Sequence, residues 1–212
     1  MPKSNNNANL TDLVAFLTDD PVQTPQEVFR RCEALEQLSS SDTVSSDAMP
    51  AIMRSLVVPV SVDCGLALRV AAAEAAWKVG GRRDLALPFL AWALKDEYWG
   101  VSRKAAEVLA EMGPDAHDAI PDLVGFAERR LEHGPFHFEK FFDNDNSRSL
   151  LAILATAIGS CGGGIAHVDV ARRMLNRMAD CEDTDACAAA RQSKKNLQHI
   201  PHKTNGLTEG LE

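Results

Sequence analysis

The sequence predicts an all-α protein made of stacked helix pairs, and three observations lead to that fold class. A block that reads Ala, apolar, Pro, any residue, apolar occurs three times, around Pro50, Pro88 and Pro121. A second block, centred on a glutamate, precedes each of them. Within both kinds of block, apolar residues recur at the spacing of one helix face. Two helices alone cannot bury both apolar faces, so we expect neighbouring pairs to stack.

The first helix of each pair contains the glutamate block. Its three copies read Cys32-Glu33-Ala34, Ala73-Glu74-Ala75 and Ala106-Glu107-Val108. In the two clearest copies the apolar stripe comprises Ala72, Ala73, Ala76 and Val79, and then Ala105, Ala106, Leu109 and Met112. Gly80 and Gly113 follow these stripes. We expect each glycine to close its helix in the left-handed conformation, which glycine adopts at low cost.

The second helix of each pair is predicted to begin close to the proline, because a proline in the first turn loses no backbone hydrogen bond. Asp47 and Asp118 precede two of these blocks and are expected to cap them, while Asp84 lies further back in the middle copy. The apolar stripes comprise Leu87, Leu90, Ala91 and Leu94, and then Ile120, Leu123, Val124 and Ala127.

Looser helical patterns follow the three clear pairs. Leu150–Gly159 and Val168–Met178 are predicted to form a fourth pair. A further helix is predicted at Asp183–Leu197, with Asp183 or Thr184 as its N-cap.

A short helix is also predicted before the pairs, at Leu10–Leu17, with Asn9 or Thr11 as its cap. The predicted organisation is a disordered tail at 1–8, a single domain at 9–202 with an aromatic insert at 132–147, and a disordered tail at 203–212.

The third copy of the repeat is the most regular. Its residues run from Asp96 to Gly113 as DEYWGVSRKAAEVLAEMG and continue to Pro121 and Leu123. In the second copy, Leu68-Arg69 with Ala72 gives an apolar residue, an arginine and an alanine three residues later. These copies resemble HEAT repeats and are most similar to the bacterial HEAT-like type named after phycobilisome lyases. In the third copy, Ser102 holds the arginine position of that pattern, and Arg103 follows it.

The resemblance is clearest over 65–131 and looser over 27–56. It implies a right-handed alpha-alpha superhelix, a HEAT-like solenoid of about four helix pairs. Such solenoids bind other proteins on a concave face lined by their second helices. It further implies that Tyr98 and Trp99 wedge between neighbouring pairs.

Composition excludes some classes of function. The 22 Lys and Arg residues against 30 Asp and Glu residues give a net charge of −8. That balance disfavours nucleic-acid binding, which requires a basic face. The polar start lacks the apolar region of a secretory signal, and we expect a cytoplasmic protein. Leu150–Val168 has no charged residue, but the glycines between Gly159 and Gly164 disfavour a membrane-spanning helix.

The cysteines give no metal or disulfide signature. They are five in number, an odd count, and no spacing matches a standard zinc motif. We therefore expect reduced thiols, some of them buried as small apolar residues. The residues are Cys32, Cys64, Cys161, Cys181 and Cys187.

A partner-binding surface is predicted on the solvent side of the second helices. Phe89 and Trp92 lie off the core stripe of the middle copy, and large aromatics and arginines are common interface anchors. The equivalent positions are Ala51 and Arg54 in the first copy and Asp122 and Gly125 in the third, with Phe126 beside them. The predicted binding residues are Arg54, Phe89, Trp92 and Phe126. The alternative is that the aromatics pack against a neighbouring helix or the insert.

The insert at 132–147 contains four of the eight phenylalanines and is predicted either to bind a partner or to pack over the repeats. Its candidate binding residues are Phe136, Phe138 and Phe141. His133 and His137 have metal-compatible spacing on a helix, but Gly134-Pro135 disfavours a helix there. The Asp143-x-Asp145-x-Ser147 segment lacks the glycine and closing glutamate of a calcium loop. No metal site is predicted.

The expected function is a non-catalytic protein–protein interaction or scaffold module, acting as a monomer without a cofactor. No polar cluster of catalytic type stands out, so an enzyme is not predicted. Two alternatives stay open. The resemblance allows a subunit or chaperone-like partner of a bilin lyase, and HEAT proteins that bind nucleic acid form the second alternative, against which the net charge speaks.

Overall fold

The protein is all-α in the part of the chain that its structure, a computed structural model, describes. That part comprises residues 6–18, 24–41, 46–57, 65–96, 98–133, 149–162 and 167–197, and it contains no β-strand. The predicted all-α class is confirmed. The chain divides into two compact units, residues 1–109 and 110–212, where the sequence predicts a single domain at 9–202.

The first unit is built from helices that pack in sequence order. Its helices are α1 (Asn6–Thr18), α2 (Pro25–Ser39), α3 (Met49–Leu56), α4 (Gly65–Gly80), α5 (Arg83–Ala93) and most of α6 (Trp99–Met112). Helix α4 contacts its own partner α5 and also α2 and α3 of the preceding pair, while α1 contacts α2 and α3. Successive helix pairs therefore bury each other's apolar faces in this unit.

The second unit is packed around α8. It contains a 3₁₀ segment (Gly113–Ala119), α7 (Ile120–His133), α8 (Leu150–Cys161), α9 (Val168–Ala179) and α10 (Thr184–Leu197). Helix α8 contacts α7, α9, α10 and the 3₁₀ segment. Its apolar face is almost continuous, so it is buried on most sides. The helices predicted here are confirmed, and Asp183 caps α10 by accepting from the backbone N–H of Ala186 at 2.9 Å.

Of the two glycines predicted to close a helix in the left-handed conformation, one does so. Gly113 has a φ of 58° and occupies the left-handed region, as expected. After α4, however, Gly81 with a φ of 61° adopts that conformation, and Gly80 is still helical. Gly80 lies close to α3, and an added Cβ would lie 2.5 Å from the Sδ atom of Met49, a flexible side chain that would have to move to make room. Of the two adjacent glycines, Gly81 is the one whose backbone conformation favours glycine.

Two predicted helix starts are wrong. Helix α5 begins at Arg83, so Pro88 lies inside it rather than in its first turn. Helix α1 begins at Asn6, before the proposed caps Asn9 and Thr11 and inside the predicted tail at 1–8.

The predicted aspartate caps also differ. Asp47 and Asp118 lie within 3₁₀ turns that precede α3 and α7. Thr24 and Glu27 form a capping box at α2 that the repeat pattern does not reveal, because it depends on residues outside the repeated block.

Arginines from neighbouring helices satisfy carbonyl groups at helix C-termini. Arg31 donates to the carbonyl oxygen of Leu17 at 3.3 Å, and Arg54 donates to that of Thr18 at 2.6 Å, both at the end of α1. The last carbonyls of a helix lack intrahelical partners and carry its negative dipole end, so a cation is stabilising there. Helix α1 has no basic residue in its own last turn. Helices α2 and α3 therefore supply the cations that α1 lacks.

Candidate functional site

The exposed side of helix α5 carries an aromatic–cation pair. Trp92 is 45% exposed, and the guanidinium carbon of Arg69, from α4, lies 5.7 Å from the centroid of its ring. Leu90 and Ala93, on the opposite side of α5, are fully buried, which fixes the direction in which Trp92 points. A guanidinium over an indole face is attractive and favours this arrangement of the two side chains. The ring is therefore presented to solvent with a cation beside it.

Phe89 lies one helical turn before Trp92, on the same side of α5. Its side chain is half-buried, so part of its surface remains accessible beside the indole. Phe89 and Trp92 thus lie one turn apart on α5, and their role in binding a partner stays a prediction. We call Arg69, Phe89 and Trp92 the tryptophan patch.

Helix α3 exposes apolar side chains that the sequence analysis did not select. Met53 and Val57 are both exposed, at a helix whose opposite face is buried through Ala51, Ile52 and Leu56. The burial of Ala51 contradicts its predicted place on the solvent side. The sequence did contain a signal for Met53, because it directly precedes Arg54, which was already predicted to lie on the solvent side of this helix.

Two predicted binding residues have structural contacts. Arg54 is exposed, but its guanidinium donates a hydrogen bond to the carbonyl oxygen of Thr18 at the end of α1. The prediction that Phe126 lies on an exposed surface is wrong, because it is only 3% exposed, with Arg129 over its ring at 5.7 Å. The buried face of α7 includes Phe126 in addition to the predicted apolar stripe of Ile120, Leu123, Val124 and Ala127. Phe126 therefore packs in the core.

The aromatics before α6 also differ from expectation. Tyr98 is 78% exposed, so it does not wedge between helix pairs as the resemblance implies. Trp99 is half-buried and lies under the guanidinium of Arg103, 5.7 Å from its ring centroid. The predicted second surface, which consists of Phe136, Phe138 and Phe141, lies outside the described residues.

A buried carboxylate connects α4 to α6. Glu74, 6% exposed at its side chain, lies 2.7 Å from the Nζ atom of Lys78 and 3.0 Å from that of Lys104. Burial raises the pKa of Glu74, but the hydrogen bonds and charges of the two ammonium groups outweigh it, so the pKa lies below its ordinary value. Glu74 belongs to the repeated glutamate block. Its counterpart Glu107 forms an ion pair with Arg103 at 3.1 Å. The glutamate of the block therefore forms ion pairs in the second and third copies.

Two cysteines that the sequence separates by six positions meet at the start of α10. The Sγ atoms of Cys181 and Cys187 are 3.9 Å apart, and both side chains are half-buried. Burial raises the pKa of Cys181, and the neighbouring thiol and the charge of Asp183 add to that rise, while the hydrogen bond to the backbone carbonyl of Asp183 partly offsets it. The predicted cap at Asp183 could have indicated this contact, because it places Cys187 in the first turn of α10, next to the segment that contains Cys181.

The chain matches no protein-family model and no curated protein sequence. In the described ranges, no three His, Cys, Asp or Glu side chains are grouped as a metal ion would require. Within those same ranges, every helix is too short or too polar to cross a lipid bilayer. Fold and surface together define an all-α protein with a tryptophan patch formed by α4 and α5.

Proposed function

We propose that this protein is a non-catalytic interaction module, in which stacked HEAT-like helix pairs present the tryptophan patch to another protein. The observation that supports this proposal is the pairing of the half-exposed Trp92 with Arg69. Tryptophan and arginine are the residue types most enriched among residues that dominate binding energy at interfaces. A ring whose arrangement is already favoured loses less conformational entropy on binding.

The neighbouring helix extends the proposed surface. Met53 and Val57 expose apolar side chains on α3, and α3 and α5 both pack against α4. In a HEAT-like solenoid, these second helices would line one face, and this arrangement is part of the proposal. The expected partner segment is apolar, with a carboxylate able to approach Arg69.

Site-specific photocrosslinking tests the proposed surface. A benzoylphenylalanine at position 89 would capture the partner in cells of the source organism, and the same residue at position 98 serves as the control. Phe89 adjoins Trp92, whereas Tyr98 is an exposed aromatic outside the patch. We expect a crosslinked protein at position 89 that is missing at position 98.

Binding of that partner, once purified, provides the second measurement. Trp92→Ala should weaken binding by about tenfold or more, which corresponds to loss of an interface anchor. Tyr98→Ala should leave affinity unchanged and serves as the matched variant. Equal binding by Trp92→Ala and the unmodified protein, with both folded, would exclude the tryptophan patch as the binding site.

The location in the cytoplasm and the monomeric state are parts of the same proposal. The location rests on the expected reduced state of the thiols. Fractionation of the source organism and sedimentation of the purified chain measure them directly.

A further inference from the structure

We propose that Cys181 and Cys187 form a redox modification site, a dithiol that closes to an intramolecular disulfide by exchange with a low-molecular-weight disulfide. This site lies in the second unit, at the connection between α9 and α10. It is independent of the tryptophan patch, which belongs to the first unit.

The geometry brings the two sulfur atoms close to bonding distance. They are 3.9 Å apart, and a disulfide requires about 2.05 Å, so a closing movement of about 2 Å is sufficient. Cys181 lies in the connecting segment, outside either helix, and Cys187 lies in the first turn of α10. The movement can therefore be taken up by side-chain rotation and by a non-helical segment, while the packed helices stay in place.

Local hydrogen bonds hold the two thiols towards each other. The Cys187 thiol donates to the carbonyl oxygen of Cys181 at 2.9 Å, and the Cys181 thiol donates to that of Asp183 at 3.6 Å. Partial exposure gives a small reagent access to both sulfur atoms.

Cys161 differs from this pair in accessibility, because it is fully buried, and this complete burial raises its thiol pKa to about 12, whereas Cys181 and Cys187 are both partly exposed. A thiol with these properties is unreactive at neutral pH.

The reaction is a balanced two-step exchange. One cysteine thiolate attacks a sulfur atom of the small disulfide, forms a mixed disulfide and displaces one small thiol. The second cysteine thiolate then attacks the protein sulfur of the mixed disulfide and displaces the other small thiol. In total the protein loses two electrons and two protons, and the small disulfide is reduced to two thiols.

The surrounding charge predicts which small disulfide reacts best. Asp180, Glu182, Asp183 and Asp185 lie around the two cysteines in sequence, and they outnumber the nearest basic residues, Arg177 and Arg191. Carboxylates repel an anionic reagent and attract a cationic one. Cystamine, which is cationic, should therefore react faster than oxidised glutathione, which is anionic, and the difference should shrink at high salt.

Trypsin provides a direct readout of ring closure. Cleavage after Arg177 and Arg191 releases Met178–Arg191, a single peptide that contains both cysteines. The folded full chain is incubated with cystamine, quenched with acid, unfolded, alkylated with iodoacetamide and digested. We expect the peptide to carry two alkyl groups before oxidation. After oxidation it should carry none and weigh two hydrogen atoms less than the unalkylated dithiol.

Variants and an unfolded reference separate native closure from general thiol reactivity. Cys181→Ser and Cys187→Ser should each retain a stable mixed disulfide with cysteamine, whereas Cys32→Ser should close as the unmodified chain does. The equilibrium constant for closure should be at least about tenfold higher in the folded chain than in urea.

A peptide that stays doubly alkylated would overturn the assignment. So would one that carries only mixed disulfides, or a closure constant no higher in the folded chain than in urea.

Discussion

Arg172 of α9 donates from Nη2 to the carbonyl oxygen of Leu197, the last residue of α10, at a distance of 2.8 Å. In return, Arg191 of α10 donates to the carbonyl oxygen of Ala179, the last residue of α9, at 3.4 Å. Each helix therefore supplies the cation that stabilises the negative end of the other. Together with Arg31 and Arg54 at the end of α1, these bonds show that several arginines of this protein have structural roles.

Removing the Arg172 bond should destabilise the second unit. Arg172→Gln takes away a charge-assisted hydrogen bond and a favourable helix-end charge, for which we expect a loss of about 1–2 kcal/mol. Arg173→Gln, at the exposed neighbouring position, should change stability by less than about 0.5 kcal/mol. Urea unfolding of both variants measures the difference. Equal stabilities would mean that the Arg172 bond contributes nothing.

Gly159 should not tolerate a methyl group. An added Cβ would collide with the Ser193 side chain and lie 3.0 Å from the Cα atom of Ser193 on α10, so Gly159→Ala must separate α8 from α10. We expect a loss of about 1–3 kcal/mol, as for other overpacked sites.

Gly125→Ala is the matched control in α7. The nearest atom to its added Cβ would be an Arg129 side-chain nitrogen at 3.8 Å, which leaves room for a methyl group. It should be stabilising by about 0.5–1 kcal/mol, since alanine favours a helix over glycine. Thermal unfolding of the two variants should therefore shift in opposite directions.

Acid should weaken the first unit through Glu74. Its pKa is lower in the folded protein than its ordinary value of 4.5, so the unfolded chain takes up the proton first as the pH falls. The stabilisation is complete above 4.5 and is lost as the pH falls through the folded pKa. Glu74→Gln should cost about 1–3 kcal/mol at neutral pH and should flatten this acid limb.

Glu33→Gln, the exposed first-copy equivalent, should keep the pH dependence. Urea unfolding between neutral pH and the acid limb, repeated for both variants, makes the comparison. An unchanged pH profile in Glu74→Gln would show that another carboxylate is responsible.

Trp92 should contribute less to folding than its buried neighbour. Because nearly half of its side chain is exposed, Trp92→Ala should cost about 1–2 kcal/mol, mainly through the contact with Arg69. Leu90→Ala should cost about 2–5 kcal/mol, since that side chain is fully buried. Chemical denaturation compares the two. If Trp92→Ala were as costly as Leu90→Ala, the indole would belong to the core and the proposed surface would be lost.

The sequence by itself determined the helices. Apolar spacing, Gly113 and the Asp183 cap act within one or two helical turns, so they can be recognised from neighbouring residues. Local signals failed where two of them competed. Pro88 indicates a helix start, yet α5 begins at Arg83, because the burial of Ala86 and Leu90 on either side of the proline favours one continuous helix despite the local cost of the proline.

Only the tertiary structure decided which side chains are buried and which distant residues meet. Phe126 and Trp92 both border an apolar stripe, but Phe126 is covered and Trp92 is not, because burial depends on which helices pack alongside. Arg172 reaches Leu197 from 25 positions away. Cys181 and Cys187 meet because the chain turns before α10. A helix face follows from short-range periodicity, whereas its neighbours follow from the packing of the whole unit.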